Sequence, residues 1–324
     1  MVVVLLAAVC SWLFLRGLIP QLRHRLLDRP NTRSSHRQPT PRGGGLAFVA
    51  VSSVASVMAL LSGQGFPFAA LPLLAAPLAL VGLLDDRHNL PASWRYGVQL
   101  LTAVLILSVS PLVQPYGLAV VSGSWSFLPV LALLGIGVTA VINFTNFMDG
   151  LDGLVPGCMV VAIAALSLAL TAPWPLWALV GSLLGFLLLN WSPAKVFMGD
   201  VGSTFLGAVF PSLILQAPSW PEVFGYLLVV TPLLADACFC VPRRLLAGQQ
   251  VFQAHRLHLF QRLHQAGWPH ARVSLTYIAA TAVLALAMLV GGWPWVSSLA
   301  VVVLLLGVWL DQHVAVPFAV ASKS

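Results

Sequence analysis

Long apolar runs recur along almost all of this 324-residue chain, and they constrain its fold more than any other feature. A helix that crosses a bilayer needs about 20 apolar residues in succession, with roughly 17 to 25 allowed, and on that measure we predict about eleven such helices. Their approximate positions are 2–20, 45–62, 69–84, 96–113, 126–144, 155–171, 174–190, 204–218, 222–241, 274–291 and 293–311. The predicted fold class is an all-α polytopic integral membrane protein with a single membrane-embedded domain, residues 1–324.

The basic residues predict the orientation of these helices, because cytoplasmic loops are enriched in Lys and Arg. With the N-terminus outside, the inner loops are 21–44, 85–95, 145–154, 191–203 and 242–273, followed by the C-terminal tail. All 16 basic residues then lie in these loops, in the tail or, for Arg16, at the inner end of the first helix. The count includes Arg33, Arg37 and Lys323. We therefore expect an odd number of helices and a cytoplasmic C-terminus.

The acidic residues follow the same asymmetry. Of the nine acids, only Glu222 falls in a predicted outer loop, and the outer loops are short and nearly uncharged. The inner loops are therefore expected to form the active face. Because the basic residues follow the membrane topology, the net charge of +7 does not indicate a nucleic-acid partner.

An acidic pair, Asp85 and Asp86, is predicted to follow the third helix directly. A helix C-terminus carries partial negative charge, and neighbouring carboxylates repel each other. A divalent cation relieves both effects, and carboxylates are ligands that Mg²⁺ prefers. The alternative is a solvated loop start with Arg87 as the counter-ion.

Four polar residues close the fifth apolar run at intervals of three: Asn143, Asn146, Asp149 and Asp152. Ionisable groups in a transmembrane segment are functional candidates by default. The two glycines of this segment favour a helix break after the asparagines, which lets the backbone approach a ligand. The alternative is that Asp152 caps the next helix, which explains one acid but not four polar groups.

The segment Phe197-Met-Gly199-Asp200-Val-Gly-Ser203-Thr opens the eighth predicted helix. Small residues, free backbone N–H groups and the positive end of a helix would form an anion site. Asp200 could hold a metal that bridges to a phosphate. The alternative is an ordinary helix with Ser203 as its N-cap.

The first inner loop ends in Pro39-Thr-Pro-Arg42-Gly-Gly-Gly45, a sequence rich in turn residues. We expect it to position Arg42 and exposed N–H groups at the start of the second helix. The alternative is that the arginines of this loop only bind anionic lipid headgroups.

Two histidines, His255 and His258, lie in the largest basic loop. At a spacing of three they would share a helix face, and the neighbouring Arg256 suits phosphate. Neutral imidazoles can instead bind a transition metal. The third reading of this pair is an interfacial surface feature.

Other reactive side chains inside apolar runs are expected to play structural parts. Asp236 is predicted to support the acidic pair of the third helix or to pair with Arg243 or Arg244. The four cysteines are interpreted as packed thiols. Cys238 and Cys240 lie two apart, which is not the spacing of a zinc or redox pair.

Together these segments suit Mg²⁺-dependent chemistry, with Mn²⁺ as the alternative metal, on a phosphate attached to a lipid. A transporter is the main rival class, but transporters usually place charges near the membrane midplane, whereas these acids gather at one face. Other metal-dependent lipid-phosphate enzymes form a second rival. The segment Asp149-Gly-Leu-Asp152-Gly superficially resembles the acidic motif of CDP-alcohol phosphotransferases, but the Ala-Arg expected after it is missing.

In their order along the chain, the motifs resemble the polyprenyl-phosphate N-acetylhexosamine-1-phosphate transferases, polytopic enzymes of the glycosyltransferase family 4 type. The resemblance rests on Asp85-Asp86, Asn143-x-x-Asn-x-x-Asp-Gly-x-Asp-Gly-Leu154, Phe197-Met-Gly-Asp-x-Gly-Ser203 and His255-x-x-His258. The Pro39–Gly45 loop is also similar to the first cytoplasmic loop of the family.

The resemblance implies transfer of N-acetylhexosamine-1-phosphate from a UDP-sugar to undecaprenyl phosphate, with release of UMP, at the cytoplasmic face of a bacterial inner membrane. It implies catalytic parts for Asp85, Asp86, Asp149 and Asp152, and metal ligation by Asp200, Asp85 and Asp152. It implies substrate contacts for Asn143, Asn146, Arg42, Gly199, Ser203, His255, Arg256 and His258. A homodimer is one assembly open to such a chain.

Departures from the family pattern narrow the subfamily. The peptidoglycan enzyme that transfers phospho-MurNAc-pentapeptide usually has a Lys shortly after its acidic pair and a run of histidines in the last large loop. Here Asp86 is followed by Arg87-His-Asn-Leu90, and the loop reads His255-Arg-Leu-His258. The chain is therefore more similar to the transferases that initiate O-antigen, common-antigen or capsule synthesis. The sugar stays open among GlcNAc, FucNAc, QuiNAc and related donors.

Overall fold

A computed structural model describes residues 1–30, 36, 38–249 and 255–322 of the chain. The helices of these residues are α1 (Val2–Arg25), α2 (Leu46–Leu61), α3 (Leu71–His88), α4 (Ala92–Ser108), α5 (Gln114–Val121), α6 (Leu128–Phe147) and α7 (Leu154–Ala169). They continue with α8 (Trp174–Asn190), α9 (Asp200–Ile214), α10 (Trp220–Val229), α11 (Thr231–Leu246), α12 (Leu259–Gln265), α13 (His270–His313) and α14 (Phe318–Ala321). Arg33, Arg37 and Lys323, which the topology argument counts, lie outside the described residues.

The helical fold class is confirmed, with one small addition. The strands β1 (Leu27–Asp28) and β2 (Thr40–Pro41) form a two-stranded antiparallel ladder in which Leu27 lies opposite Pro41. This ladder joins the end of α1 to the loop that precedes α2. Two residue pairs of this kind leave the all-α class unchanged.

Each of the eleven predicted segments overlaps a helix of the structure. Among the described residues, four helical stretches are long and apolar enough to cross a membrane: α1, Phe68–His88, Trp125–Phe147 and α13. The bent pair α10 and α11 makes a fifth if it counts as one span, and α2, α7, α8 and α9 are shorter apolar helices. The protein is therefore a multi-pass helical membrane protein, and the predicted number of eleven spans stays a prediction.

Two helix breaks shape the C-terminal part. α13 contains a break at Gly292, whose φ of 67° is not helical, where the sequence predicts the boundary between its last two helices. In contrast, the single helix predicted over 222–241 is two helices bent by 83°. Pro232 in the first turn of α11 explains the second break, because it has no N–H to donate to a helix that continues from α10.

The centre of the fold is α9. Every residue from Val201 to Ile214 is buried, and the helix packs against α3 and α6, with further contacts to α2, α4, α7 and α10. A helix that is apolar on all sides is expected in the interior of a helical protein. The first residue of this central helix is Asp200, so the packing of α9 also fixes the position of a predicted site residue.

Large apolar side chains are exposed along several outer helices. Examples are Leu5 and Leu13 on α1, Leu133 on α6, and Leu305 and Leu306 on α13. Extended exposed apolar surfaces are rare on soluble monomers and mark contact with another apolar phase. These surfaces agree with a bilayer around the helices.

Candidate active site

The predicted motifs meet at one cavity of about 860 Å³ between the ends of several helices. Its lining includes the C-terminal ends of α3 and α6, the N-terminal parts of α4 and α9, and the segment that precedes α12. Six predicted site residues line it: Asp85, Asn143, Asn146, Asp200, His255 and His258. Sequence segments that lie up to 173 positions apart therefore contribute to a single concave site.

Close backbone packing holds the start of α9 beside the end of α3. Gly82 on α3 faces the backbone of Asp200, and a Cβ atom at Gly82 would lie 2.5 Å from the Asp200 carbonyl carbon. Only glycine permits an approach this close without displacing one of the two helices. The carboxylate of Asp200 is thereby brought next to the acidic pair of α3.

The first-loop motif pairs with the segment that leads into α9. Phe197 donates its N–H to Pro41 O at 2.8 Å, while Gly44 and Gly45 donate theirs to Phe197 O and Met198 O, both at 2.9 Å. The expectation of exposed N–H groups in this motif is wrong at Gly44 and Gly45, because both are bonded to the second motif. Two segments about 155 residues apart thus satisfy each other's backbone hydrogen-bonding groups.

Arg42 lies against Asp86 at the end of α3. Its guanidinium bonds the Asp86 carbonyl oxygen, and its Nε lies 3.6 Å from Asp86 Oδ1. The Asp86 side chain is buried and accepts the backbone N–H groups of Asp200 and Val201. The anion at the positive end of α9 is therefore a carboxylate of the protein itself.

The acidic pair lies inside the last turn of α3, which continues to His88, so the prediction that the pair follows the helix is wrong. Asp85 accepts the N–H of Leu90 at 2.6 Å and Arg95 Nη1 at 2.9 Å, and it reaches hydrogen-bonding distance of Asp200. These donors offset the unfavourable position of an acid at a helix C-terminus. Asp85 faces the cavity, whereas its neighbour faces the start of α9.

The break predicted after the asparagines is confirmed: α6 ends at Phe147 and α7 begins at Leu154. Asp149 lies in the connecting loop with its carboxyl group packed among other acids. Burial, and then the negative charges of Asp200, Asp86 and Asp152, raise the pKa of Asp149 to about 8. At neutral pH this carboxyl group holds a proton unless a cation is nearby.

The side chain of Asn143 joins two helices and also lines the cavity. Its Nδ2 donates to Gln99 Oε1 at 2.8 Å and to Thr139 O at 2.8 Å, and Gln99 Nε2 donates back to Asn143 Oδ1 at 3.3 Å. The paired amides join α4 to α6 on the cavity wall, where Asn146 also lies. Asn143 belongs to α6 as predicted, and so does Asn146, which the prediction places in the loop 145–154.

The carboxylate of Asp152 is bound by two other parts of the chain. Ala194 donates its N–H to Asp152 Oδ2 at 3.1 Å, and His270 Nδ1 lies 3.2 Å from the same oxygen. Burial alone would raise the pKa of Asp152, but the hydrogen bond and charge of His270, with the N–H of Ala194, hold it below its usual range. The N-cap of α7 is Gly153, so Asp152 does not cap that helix.

The two histidines are close, but not on a helix. His258 is the N-cap of α12, and its ring stacks on that of His255 with centroids 4.9 Å apart. The premise of a shared helix face is therefore wrong. Burial, and then the positive charges of His258 and Arg244, lower the pKa of His255 to about 3. Burial disfavours the charged form of His258, yet hydrogen bonds to Asp236 and Cys240 raise its pKa to about 9.

Asp236 takes neither of its predicted roles. It accepts the N–H groups of Leu259 and Phe260 at 2.7 and 3.0 Å, and the hydroxyl of Tyr277 at 2.8 Å. Its Oδ1 also lies 3.4 Å from His258 Nδ1. Asp236 thus fixes the start of α12 and one of the two cavity histidines.

Several predicted site residues do not line the cavity in the described structure: Arg42, Asp86, Asp149, Asp152, Gly199, Ser203 and Arg256. Of these, Ser203 is buried and donates its hydroxyl to Gly199 O at 3.2 Å, within its own helix. Conversely, the sequence reasoning missed Arg95, Gln99 and Gln261 as cavity residues. The available signal was the spacing of four between Arg95 and Gln99, which places both on one face of a helix.

The charge balance of the site suits a divalent cation. The four clustered carboxylates are Asp85, Asp86, Asp149 and Asp200, and the ion pairs described for them involve two guanidinium groups, those of Arg42 and Arg95. The buried Oδ2 of Asp86 has no hydrogen-bond partner. Carboxylate oxygens are the donors that Mg²⁺ prefers, so the residues present fit such an ion.

Comparison with known proteins agrees with this arrangement. Residues 68–217 match the family Glycosyl transferase family 4. A Bacillus subtilis protein named probable undecaprenyl-phosphate N-acetylglucosaminyl 1-phosphate transferase is 30% identical over 78% of this chain and 73% of its own length. The decaprenyl-phosphate N-acetylglucosaminephosphotransferase of Mycobacterium leprae is 32% identical over 84% and 78%. The undecaprenyl-phosphate alpha-N-acetylglucosaminyl 1-phosphate transferase of Yersinia pestis is 32% identical over 82% and 77%.

These similarities extend beyond the matched family region to most of the chain and most of each relative. They agree with the sequence resemblance, which rests on motifs that the structure gathers around one cavity. The chain therefore belongs to glycosyl transferase family 4, in the group of the polyprenyl-phosphate N-acetylhexosamine-1-phosphate transferases.

Proposed function

We propose that this protein transfers N-acetylglucosamine-1-phosphate from UDP-GlcNAc to a polyprenyl phosphate, releases UMP and so initiates the synthesis of an envelope glycan. The observation that carries the proposal is the convergence on one cavity of residues from four predicted motifs: Asp85, Asn143, Asn146, Asp200, His255 and His258. The names of the relatives favour GlcNAc among the N-acetylhexosamines that the sequence leaves open.

The reaction is the exchange of one phosphoanhydride bond for another. An oxygen of the lipid phosphate attacks the sugar-linked phosphorus of the UDP-sugar, the bond from that phosphorus to the bridging oxygen breaks, and UMP leaves. Such transfers depend mainly on positioning and on stabilisation of charge, with little covalent chemistry for the protein to perform. The cavity provides both kinds of group, acids at one wall and cations or amides at others.

In this proposal, Asp85 and Asp200 hold Mg²⁺, with Mn²⁺ as the alternative ion. When bound, the ion offsets the negative charge of the diphosphate and of the incoming lipid phosphate. Asp86 keeps the start of α9 in place from behind, through its backbone hydrogen bonds. The metal role implied for Asp152 is not carried into the proposal, because Ala194 and His270 occupy its carboxylate.

In this proposal, Asp149 is the acid that gains or loses a proton as the charge around it changes. Its raised pKa keeps a proton on the carboxyl group while the neighbouring acids are unscreened, and a nearby cation favours its release. A phosphomonoester is already largely ionised at neutral pH, so the lipid phosphate does not need a strong base. The proton on Asp149 therefore limits repulsion among the acids rather than driving the attack.

The other polar groups of the cavity orient the donor substrate. His258, positively charged at neutral pH because of Asp236, and Arg95 suit the diphosphate, while neutral His255 can donate one hydrogen bond. The amides of Asn146 and Gln261 suit the uridine or the sugar, since both present donors and acceptors. Direct contacts of Gly199, Ser203 and Arg256 with substrate stay predictions.

The lipid acceptor requires an apolar surface near this cavity. A second cavity, of about 540 Å³, lies between α11 and the second half of α13 and is lined by Phe239, Leu246, Leu306 and Trp309, with Arg243 among its few charged groups. We assign it to the prenyl chain nearest the phosphate. A Leu306→Trp variant should raise the KM for lipid and leave the KM for UDP-GlcNAc unchanged, and equal effects on both would remove the assignment.

The site is assigned to the cytoplasmic face of a bacterial inner membrane, with the N-terminus outside. The support is the placement of Lys and Arg, since the site-bearing loops are the basic ones. In a cysteine-free background, a cysteine at exposed Arg87 should resist an impermeant thiol reagent added to intact cells, whereas a cysteine at exposed Ser122 should react. The reverse labelling pattern would overturn this orientation.

The activity is tested with purified protein in detergent, undecaprenyl phosphate, Mg²⁺ and a panel of UDP-N-acetylhexosamines. We expect UMP release with UDP-GlcNAc that requires both the lipid and the metal. UMP release with a different donor alone would correct the sugar. Silence with every donor, from protein that is shown to be folded, would contradict the transferase assignment.

A further inference from the structure

A second cluster of metal-binding side chains lies where the histidines of the cavity meet α11. One ligand atom each of Cys240, His255 and His258 can be chosen so that all three lie within 4.8 Å of one another. It is the one such group of three His, Cys, Asp or Glu residues among the described parts of the chain. Cys240 and His258 are buried, and His255 is partly buried.

Two parts of the chain supply these side chains, so the histidine pair that the sequence singles out does not reveal its cysteine partner. Cys240 lies on α11, His258 is the N-cap of α12, and His255 lies in the segment before it. The two rings stack with centroids 4.9 Å apart, and the thiol of Cys240 lies within hydrogen-bonding range of His258. The cluster exists because α12 docks against α11.

Asp236 orients one of the ligands without being available as a ligand itself. Its carboxylate accepts hydrogen bonds from Leu259, Phe260 and Tyr277, and its Oδ1 lies 3.4 Å from His258 Nδ1. The carboxylate therefore faces Nδ1 and leaves Nε2 as the nitrogen that can bind a metal. A carboxylate behind a metal-binding histidine is the usual way in which proteins fix the ring and its tautomer.

The donor set determines which metal fits. A thiolate with two imidazoles suits zinc, whereas Mg²⁺ requires oxygen ligands. We propose that Cys240, His255 and His258 bind a Zn²⁺ ion, with a water or substrate oxygen as the fourth ligand. When zinc binds, the thiol of Cys240 and the charged imidazole of His258 each release one proton to solvent. Tetrahedral zinc ligands lie about 3.5 Å apart, so the side chains need to close by about 1 Å.

Because of the position of this site, bound zinc should affect the transfer activity. His255 and His258 both line the cavity, and the proposed function assigns them to the donor substrate. Zinc bound there would occupy both rings and inhibit transfer. This consequence rests on the proposed function, whereas zinc binding itself does not.

Cobalt provides a direct test, because Co²⁺ bound to a thiolate has a charge-transfer absorption that Co²⁺ on imidazole or carboxylate lacks. Tag-free, chelator-treated protein in detergent is titrated with Co²⁺ and then with Zn²⁺. We expect one equivalent of Co²⁺ to produce the band and Zn²⁺ to abolish it. Cys240→Ser should remove the band, and Cys238→Ser, a change at an exposed cysteine of the same helix, should keep it.

Folded wild-type protein without the band, or an unchanged band in Cys240→Ser, would overturn the proposal. In the transfer assay, zinc inhibition of Cys240→Ser, measured relative to the basal rate of that variant, should be weaker than in wild type by more than the roughly 10- to 100-fold that loss of an outer-shell partner costs in metal affinity. If the transferase assignment itself fails, no variant releases UMP, but the cobalt band remains. The two failures are therefore distinguishable.

Discussion

The contact between α3 and α9 at Gly82 is the part of the site most sensitive to a small change. A Cβ atom at this position would lie 2.5 Å from the carbonyl carbon of Asp200 and 2.6 Å from the nitrogen of Val201. Non-bonded carbon atoms prefer about 3.5 Å, so Gly82→Ala must displace the start of α9 by about 1 Å. Both neighbours are backbone atoms, so no flexible side chain can absorb the change.

The displacement has two measurable effects. Overpacking of a well-packed interior lowers the free energy of unfolding by about 1–3 kcal/mol, and the higher helix propensity of Ala offsets up to about 1 kcal/mol of that loss. A reacting group that is misplaced by about 1 Å can lower the rate by about 100-fold. We therefore expect Gly82→Ala to fold with a lower Tm and to release UMP about 100-fold more slowly.

Gly97→Ala is the matched control, because Gly97 is an exposed glycine on the neighbouring helix α4 with nothing within 4 Å of its added Cβ. It should keep the activity and match or exceed the wild-type Tm. Thermal unfolding in detergent and UMP release are measured on both variants. Wild-type activity and Tm in Gly82→Ala would refute the claim that backbone packing against α3 places Asp200.

Three further perturbations test other contacts. Asp86→Asn keeps an acceptor at the start of α9 and removes one of four clustered negative charges; we expect the metal-free variant to keep or exceed the wild-type Tm, and a clear fall in Tm would contradict this. Gln99→Leu leaves the amide of Asn143 without its partner on α4, and we expect the free energy of unfolding to fall by about 1–3 kcal/mol. The double variant Gln99→Leu/Asn143→Leu should recover most of that loss. His270 lowers the pKa of Asp152, so the Asp152 carboxylate stabilises the fold fully above about pH 4, the pKa of an Asp in the unfolded chain. This stabilisation is lost as the pH falls through the lower pKa of the folded state. The Tm difference between wild type and Asp152→Asn should therefore persist near neutral pH and narrow below pH 4; a constant difference would contradict the pairing.

Much of this site could be predicted from sequence because its residues carry charge into an apolar chain. Asp85, Asn143, Asn146 and Asp200 are conspicuous at the ends of apolar runs, and all four line the cavity. The placement of Lys and Arg in the sequence predicts that their segments lie on one side of the membrane. Apolar length and charge bias together were sufficient to bring distant motifs to one face.

The contacts between motifs could not be predicted in the same way. The sequence does not show that Asp86 serves the first turn of α9, because that contact depends on two backbones packing through Gly82 and Gly45. The helix boundaries near Asp85 and Asp200 were misplaced for a related reason. A polar residue usually signals the end of an apolar helix, but here each acid has partners from another segment that allow the helix to include it.

The same limit applies to the histidine region. Asp236 was expected near Arg243 or Arg244, and its actual partners come from α12 and α13. Cys240 has no metal-binding neighbour at a recognisable spacing, because its partners follow 15 and 18 residues later and only the docking of α12 brings them together. Spacing rules detect sites built by one local element and miss those built by tertiary packing.

The measurement that tests the central claim most directly is the metal-dependent synthesis of polyprenyl diphosphate–GlcNAc by wild type, Asp200→Asn and Glu222→Gln. Glu222 is an acid outside the cavity, so its variant controls for the loss of one carboxylate. We predict that wild type and Glu222→Gln form the product with Mg²⁺ and lose it after chelation, whereas folded Asp200→Asn forms none. Full activity of Asp200→Asn, or product formation that survives thorough chelation, would contradict a carboxylate-held metal at this cavity.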